Sequence, residues 1–449
     1  MVSKRTEDFM RRDVKYLMHP IHAVGRRPRV VLEKGHGIWL QDTEGKEYIN
    51  LLSSIECTNL GHGRREIINA VLEQMNKVEF HGGWYGLSDP TTIDCAQKLT
   101  EITPAGLDHV VFTSGGAEST DVAFKMVHLY WFLRGKSHKS KIISLYGSYH
   151  GLGAGSWASN RAEVFSQERW GPSSKDFLHI PSYHCYRCMF GLEYPECNVR
   201  CARYLEEVII NERPETIAAF IGEPVIGGSG CVPPPPEYWP TIRKICDRHD
   251  VLLIADEVMT GFTRTGKMFA MEHWGVKPDI MTVAKAISGG YIPLGAVVIN
   301  DKVYQVLKGN ELSHGYTFCG HPTACAAGLA AMNLYVTDKV AENAAKVGKH
   351  ILERLEAEFK PLPCIDNPTG VGMMLGFDVV TDKTTKAPFP EDVRERIYSE
   401  ILDKGIISAV IWGSGNSRFL IIPPCTMTIE EADLTLDILL PMMAAIKPS

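Results

Sequence analysis

The sequence of 449 residues contains no long hydrophobic run and no excess of basic residues. No segment approaches the roughly 18 consecutive apolar residues that a membrane span requires. The first twelve residues, MVSKRTEDFMRR, lack the apolar core of an export signal. The formal net charge of -6 offers no broad positive surface for a nucleic-acid backbone. We therefore expect a cytoplasmic protein that binds neither membranes nor nucleic acids.

Twelve cysteines are spread along the chain, and without an export signal they are expected to be reduced. Four of them, Cys185, Cys188, Cys197 and Cys201, follow the pattern C-x2-C-x8-C-x3-C. Four thiolates at such spacings can close a structural zinc site, although the middle spacing is short. We expect no metal here and keep zinc as the alternative.

Apolar residues make up 45% of the chain and charged residues 22%, which is the composition of a globular protein with a large core. A chain of this length exceeds what a single core usually supports, so two domains are expected. The short run PPPP at 233–236 is interpreted as a rigid connector.

Short apolar segments recur between residues 109 and 300, among them HVVFTS, KIISLY, IAAFIGEP, VLLIADEV and LGAVVIN. Helix-like segments separate several of them, and this alternation predicts an α/β fold with a mostly parallel sheet covered on both faces. We assign residues 75–330 to this large domain. Residues 1–74 and 331–449 are assigned to a smaller domain formed by both chain ends, with RFLII as a strand candidate.

Three predicted strands end in residues that could carry chemistry. TSGGAE follows VVF, DE follows LLIA, and Lys285 follows MTVA. In parallel α/β sheets, ligands bind beyond the carboxyl ends of the strands. The three segments are therefore predicted to meet at one site.

Each segment also has an ordinary structural interpretation. Asp256 ends a strand too apolar for a free carboxylate and needs a cationic partner, but it could be a helix cap or a salt-bridge residue. Apolar neighbours of Lys285 would lower the pKa of its ammonium and so favour the neutral, nucleophilic amine. Alternatively, only the aliphatic part of the side chain is buried and the ammonium reaches solvent. Gly115 and Gly116 open a helix whose free N–H groups suit a phosphate, or they form a simple turn.

Together the three segments match the requirements of pyridoxal phosphate. The phosphate needs an anion-binding helix start, the aldehyde needs a lysine, and the pyridine nitrogen needs an acidic partner that keeps it protonated. The combination therefore predicts an enzyme that uses this cofactor, with Lys285 as its catalytic lysine.

Longer segments resemble the class III, or ω-amino-acid, family of fold type I aminotransferases. They are SYHG at 148–151, GEPVIGGSG at 222–230, IADEVMTGFTRTG at 254–266, TVAKAISGGYIPLGA at 282–296 and HGYTFCGHP at 314–322. Matching segments run through nearly the whole chain. The resemblance implies a transaminase that moves an amino group from an amine donor to a keto acid in a ping-pong scheme.

The resemblance also implies roles for single residues around the cofactor ring. Lys285 would be the Schiff-base lysine, and Asp256 would pair with the pyridine nitrogen. Glu223 would support Asp256 and the O3′ side of the ring. Tyr149 and Val258 would cover the two ring faces. His150, in the same motif as Tyr149, is counted among the cofactor contacts.

For the phosphate, the resemblance implies backbone N–H contacts from Gly115, Gly116 and Ala117. Relatives often have Ser where this chain has Ala117, so one hydroxyl donor is missing. Thr317 would reach the phosphate of a neighbouring subunit. The resemblance thus implies a homodimer with shared active sites.

Two positions bear on the acceptor. Relatives that use 2-oxoglutarate often carry Glu shortly after GEPV, where this chain has Gly228. The resemblance therefore favours the subgroup similar to taurine or β-alanine:pyruvate transaminases, with 2-oxoglutarate as the alternative acceptor. Arg418 stands near the position of the usual carboxylate-binding arginine. It precedes Pro423 by five residues, whereas in many relatives the arginine precedes the corresponding proline by three or four. A slip of one residue would turn its side chain to the other face of a strand.

Three further residues are expected in the substrate pocket. Glu56 stands where relatives with aromatic pockets often carry Trp. A carboxylate there could bind a second amine or a hydroxyl of the donor and would repel a sulfonate or carboxylate. Alternatively, Glu56 faces solvent or pairs with an arginine. Trp84 and Tyr85 would wall the substrate channel, or they are core residues.

Two other functions stay open. Racemisation or decarboxylation of an amino acid could occur on the same scaffold, because the cofactor supplies the electrophilicity and the pocket selects the bond that breaks. A non-catalytic α/β protein that binds a phosphorylated ligand is the alternative from a different class.

Overall fold

The computed structural model describes residues 2–161, 174–413 and 416–447, and its strands form three sheets. In chain order the strands are β1 Leu32–His36, β2 Trp39–Asp42, β3 Glu47–Asn50, β4 Leu107–Thr113, β5 Lys141–Leu145, β6 Phe177–Ile180, β7 Ile217–Gly222, β8 Leu252–Asp256, β9 Ile280–Val283, β10 Gly295–Asn300, β11 Ile365–Val371, β12 Met374–Asp382, β13 Ala387–Pro388, β14 Ile406–Ile407, β15 Val410–Gly413 and β16 Asn416–Ile421.

Helices connect and cover these strands. They are Lys4–Tyr16, Arg65–Lys77, Pro90–Ile102, Gly116–Leu133, Ala154–Ala158, Arg200–Asn211, Tyr238–Arg248, Asp301–Leu307, Pro322–Thr337, Val340–Arg354, Glu391–Asp403 and Ile429–Ala444. None of the helices in the described part of the chain combines the length and the apolar character needed to cross a bilayer.

The central sheet has seven strands in the order β4-β10-β9-β8-β7-β5-β6. β10 is antiparallel to β4 and β9, whereas the pairs from β9 through β8, β7 and β5 to β6 are parallel. The prediction of a mostly parallel sheet in an α/β fold is therefore confirmed. Because β9, β8, β7 and β5 are parallel neighbours, their carboxyl ends lie along one edge of the sheet.

Alternation along the strands explains why the sheet is covered on both faces. In β8, Leu252 and Ile254 pack in the cluster that contains the helix Gly116–Leu133. Leu253 and Ala255 point the other way, into the cluster with the helices Arg200–Asn211 and Tyr238–Arg248. Both faces of β8 are thus apolar, which leaves its carboxyl end as the place for polar chemistry.

The other two sheets involve the chain ends. β1, β2 and β3 form one sheet with β14, which pairs in parallel with β3 and so joins the first and last parts of the chain. The second sheet has the order β11-β12-β16-β15, with β13 paired to β12, and β16 includes most of the RFLII segment. The helix Pro322–Thr337 crosses residue 330. The division of the chain at 74 and 330 stays a prediction.

Candidate active site

Close backbone approaches bring the three predicted segments together. A Cβ placed on Gly116 would lie 2.9 Å from Cγ1 of Val258 and 3.7 Å from Cβ of Ala284, the residue before Lys285. Gly116 therefore allows the start of the helix Gly116–Leu133 to approach the segments that follow β8 and β9. A Cβ on Gly151 would lie 2.6 Å from Cα of Ala117, so the loop carrying Tyr149 and His150 reaches the same place.

The start of the helix Gly116–Leu133 is suited to an anion. The first N–H groups of a helix have no acceptors within the helix, and the helix dipole favours negative charge there. A Cβ on Gly115 would meet nothing within 4 Å, so there is open space in front of this turn. Ser114 N–H is already used by Glu118 Oε2 at 2.8 Å. The backbone N–H groups of Gly115, Gly116 and Ala117 at this helix start are therefore the candidate phosphate donors.

Asp256 ends β8 with a buried carboxylate, 3% exposed, held by three neighbours. Its Oδ1 accepts hydrogen bonds from Val258 N–H and from the Thr282 hydroxyl, both at 3.1 Å. Its Oδ2 lies 2.6 Å from Nδ1 of His150, which is also buried. His150 is therefore the side chain paired with this carboxylate inside the chain, and the three contacts fix the direction in which the carboxylate points.

Glu223 follows β7 and organises the loop that carries Tyr149. Its Oε1 accepts Tyr149 N–H at 3.0 Å, and its Oε2 accepts Gly227 N–H at 2.8 Å. Burial raises the pKa of Glu223 to about 7, and the charge of Asp256 adds to this, although His150 opposes it. Burial also raises the pKa of the half-buried Tyr149 phenol, while nearby Lys285 opposes that shift. Glu223 thus positions Tyr149 next to the catalytic candidates.

Lys285 begins a single 3-10 turn, Lys285–Ser288, with a φ of 50°. Its Nζ donates a hydrogen bond of 2.7 Å to Oε2 of Glu56. Burial lowers the pKa of the Lys285 ammonium, but the carboxylate of Glu56 outweighs burial and the pKa is raised above its usual value. The expectation that apolar surroundings lower this pKa is wrong here because Glu56 supplies a counter-charge. Glu56 faces Lys285 rather than solvent or an arginine.

The structure does not leave Arg418 available to a substrate. It is fully buried in β16, and its Nε donates to Gly230 O. Nη1 donates to Asn367 O and, at 2.7 Å, to Asp378 Oδ2, while Nη2 donates to Thr369 and to Gly376 O. All five N–H groups of the guanidinium therefore have acceptors within the protein. In this arrangement Arg418 joins β11, β12 and β16, which corrects its expected role as a carboxylate-binding residue.

Trp84, Tyr85 and Thr317 lie on an exposed face. Trp84 and Tyr85 are 43% and 97% exposed, so neither is a core residue. Trp84 Nε1 donates to Tyr316 O at 3.2 Å, next to the exposed Thr317. A surface cavity of about 730 Å³ borders Trp84, Tyr85 and Gly315. Within the described residues of one chain, Trp84, Tyr85 and Thr317 form no hydrogen bond to Lys285 or Asp256.

The four cysteines of the C-x2-C-x8-C-x3-C pattern border one cavity of about 20 Å³. Their thiols are free. Within residues 2–161, 174–413 and 416–447, no group of three or more His, Cys, Asp or Glu side chains could hold a metal ion. The zinc alternative thus has no support in the described part of the chain.

The residues at this site fit pyridoxal phosphate. The open turn at Gly115 suits its phosphate, the fixed carboxylate of Asp256 suits a protonated ring nitrogen, and Lys285 Nζ suits its aldehyde. Gly116 brings these three groups to one place because only hydrogen occupies the space facing Val258 and Ala284. The pairing of Glu56 with Lys285 could not be found from the sequence, since 229 residues separate the two.

Comparison with known proteins adds independent findings. A family model described as aminotransferase class-III matches residues 21–443. Diaminobutyrate–2-oxoglutarate transaminase of Halomonas elongata is 33% identical over 95% of this chain and 94% of its own length. Putrescine–pyruvate aminotransferase of Pseudomonas aeruginosa is 32% identical, covering 80% and 79%. The crystal structure of a PLP-bound amine transaminase from an uncultivated Pseudomonas species is 33% identical, with a TM-score of 0.91 and coverage of 96% and 98%.

Proposed function

The chain belongs to the class III aminotransferases, which are pyridoxal-phosphate-dependent transaminases of fold type I, and on this basis we propose that it transfers an amino group from an amine or ω-amino acid to pyruvate. We propose that Lys285, Asp256 and Glu223 carry the reaction. Gly115, Gly116, Ala117, Tyr149, His150 and Val258 would contact the cofactor.

The protein residues have separate tasks in this proposal. When bound, pyridoxal phosphate supplies an electron sink for the carbon that carries the amino group. Lys285 Nζ would hold the cofactor through its aldehyde, and as a free amine it would accept the proton from the substrate carbon and later return it. Asp256 would supply the acidic partner of the ring nitrogen. Glu223 keeps Tyr149 in place through the backbone N–H of that residue.

The observations that carry the choice of pyruvate concern the two positions that bear on the acceptor, Gly228 and Arg418. A Cβ on Gly228 would lie 3.0 Å from Gly147 O and 3.3 Å from Tyr149 Cβ, so a longer side chain there is unfavourable. Arg418 already donates all of its N–H groups to protein acceptors. A second carboxylate, which 2-oxoglutarate has and pyruvate lacks, would gain no hydrogen bond from the Arg418 guanidinium.

We expect kcat/KM for pyruvate to exceed that for 2-oxoglutarate by about 10- to 100-fold with the same donor. This ratio corresponds to the free energy of one hydrogen bond to a charged group. Steady-state assays with both acceptors would measure this ratio. Adding donor alone is the control, because the cofactor absorbance should change without any acceptor. Equal or better use of 2-oxoglutarate would favour the alternative acceptor. Product formation without any keto acid would favour racemisation or decarboxylation.

We also propose a homodimer in which Thr317 serves the active site of the neighbouring subunit. The exposure of Thr317, Trp84 and Tyr85 on one face supports this arrangement. Light scattering should then give about twice the chain mass of 49.9 kDa. Thr317→Ala should weaken cofactor retention about tenfold, measured by cofactor titration, by loss of one hydrogen bond. A fully active monomer would contradict this proposal.

The cytoplasmic location expected from the sequence stays a prediction, which cell fractionation would test.

A further inference from the structure

Glu56 is a buried carboxylate that faces the catalytic lysine. The residue is 9% exposed, and its Oε2 accepts the hydrogen bond from Lys285 Nζ at 2.7 Å. Within the described part of the chain, Lys285 is its ion-pair partner and no second cation pairs with it. A carboxylate so buried is stable only while a cation or several donors compensate its charge.

An unusual turn fixes the position of Glu56. Ser53, Ser54, Ile55 and Glu56 have φ values of 45°, 49°, 60° and 57°, the left-handed region that non-glycine residues rarely adopt. The Ser53 hydroxyl donates to Ile422 O at 2.6 Å and accepts from Arg264 Nη2 at 3.1 Å. Contacts from distant parts of the chain thus hold Ser53 at the start of this turn, and Glu56 ends the same turn.

Among the described residues, Arg264 and Arg418 already use their terminal guanidinium nitrogens within the protein. Arg264, behind the turn, donates through Nη2 to Ser53 and Asn59 and through Nη1 to Met373 O and Pro423 O. Arg418 donates its hydrogen bonds to other protein groups, among them Asn367 O and Asp378 Oδ2. A donor that carries a carboxylate would therefore meet the negative charge of Glu56 without compensation from either guanidinium.

Covalent attachment of the cofactor at Lys285 Nζ occupies the atom that pairs with Glu56. A nitrogen bonded in this way would no longer be a free ammonium, so the buried carboxylate of Glu56 would need another cation as its partner. An ammonium group supplied by the substrate would restore the compensation.

We propose that Glu56 is the receptor for a second ammonium group on the amine donor, so that the preferred donors are aliphatic α,ω-diamines. This inference rests on the proposed transaminase function and names its donor class. Electrostatics then ranks the donors: a diamine is better than a monoamine, and a monoamine is better than an ω-amino acid of equal length.

The ranking can be measured with 1,4-diaminobutane, butylamine and 4-aminobutanoate, each with pyruvate. In the wild type, kcat/KM should follow that order. Glu56→Gln should lower the ratio of diamine to amino acid by about 10- to 100-fold, mainly through KM for the diamine. Comparing ratios within one variant cancels any effect on Lys285 that all donors share. Glu73→Gln, a change at an exposed residue, is the matched control and should keep the ratio.

A second measurement needs no turnover. In cofactor-free Lys285→Ala protein, Glu56 has lost its ion-pair partner, so 1,4-diaminobutane should raise the Tm saturably by on the order of 2 °C. 4-Aminobutanoate should not, and the effect should vanish in the Lys285→Ala, Glu56→Gln double variant. A diamine shift that persists in the double variant, or an unchanged donor ratio in Glu56→Gln, would overturn the inference. If no donor changes the cofactor absorbance of the wild type, the proposed function fails instead, while this thermal test still decides on Glu56.

Discussion

Replacing Lys285 with alanine is expected to lower transamination by about 10⁴-fold or more, because one nitrogen serves both as the attachment point and as the proton carrier. The turn after β9 places the Lys285 amine beside Glu56 and near Tyr149. Rapid-mixing assays with donor alone and steady-state assays with pyruvate would measure the loss. The covalently bound cofactor absorbance should disappear as well.

Lys277→Ala is a suitable control for this experiment, because Lys277 is exposed and lies only eight positions earlier in the chain. Both variants should remain folded, as judged by circular dichroism and Tm. Lys285→Ala also removes the partner of Glu56, so a modest change in its Tm would not affect the conclusion. Substantial residual turnover in Lys285→Ala would refute the assignment of Lys285 as the proton carrier.

Replacing Asp256 with asparagine is expected to lower turnover by about 10²- to 10⁴-fold, the range seen when a charge or proton-transfer group is removed from a catalytic site. Asparagine has the same shape and can still accept hydrogen bonds from Val258 and Thr282. It has no negative charge, so the ring nitrogen would lose the partner that keeps it protonated. The variant should therefore bind the cofactor through Lys285 yet react slowly with the donor.

The rate of the donor half-reaction, followed by absorbance, separates this effect from loss of cofactor. Asp247→Asn is the matched control, since Asp247 is exposed and its carboxylate pairs with Arg243. A near-normal half-reaction rate in Asp256→Asn would show that the carboxylate does not act on the cofactor ring. A parallel loss of covalent attachment would instead indicate a disturbed site, because His150 lies 2.6 Å from the same carboxylate.

Much of the fold was predictable because its signals are local. Runs such as LLIAD and IMTV are apolar on both faces, which is typical of parallel strands between two helical layers. The cofactor and the reaction type were also predictable, and both are confirmed by the family match. The reason is that glycine after β4, aspartate at the end of β8 and lysine after β9 each stand at a strand end, where the topology makes them neighbours.

The least predictable residues were those whose environment comes from distant segments. Arg418 shows this, since its position in the sequence is compatible with either face of β16. The acceptors that surround it come from β12, the loop at Gly230 and the segment around Thr369. Burial of a guanidinium depends on these partners being present together, and no local pattern indicates that.

The amino-acid sequence by itself determined the α/β layers, the cofactor class and the lysine that binds it, because these depend on periodicity and on motifs at strand ends. Only the tertiary structure decided the charge around that lysine. Glu56 reaches Lys285 through a left-handed turn held by Arg264 and Ile422, and it reverses the pKa shift that apolar neighbours alone would cause. Electrostatic interactions act through space, so the protonation of Lys285 depends on which residues the fold places within a few ångströms of its nitrogen.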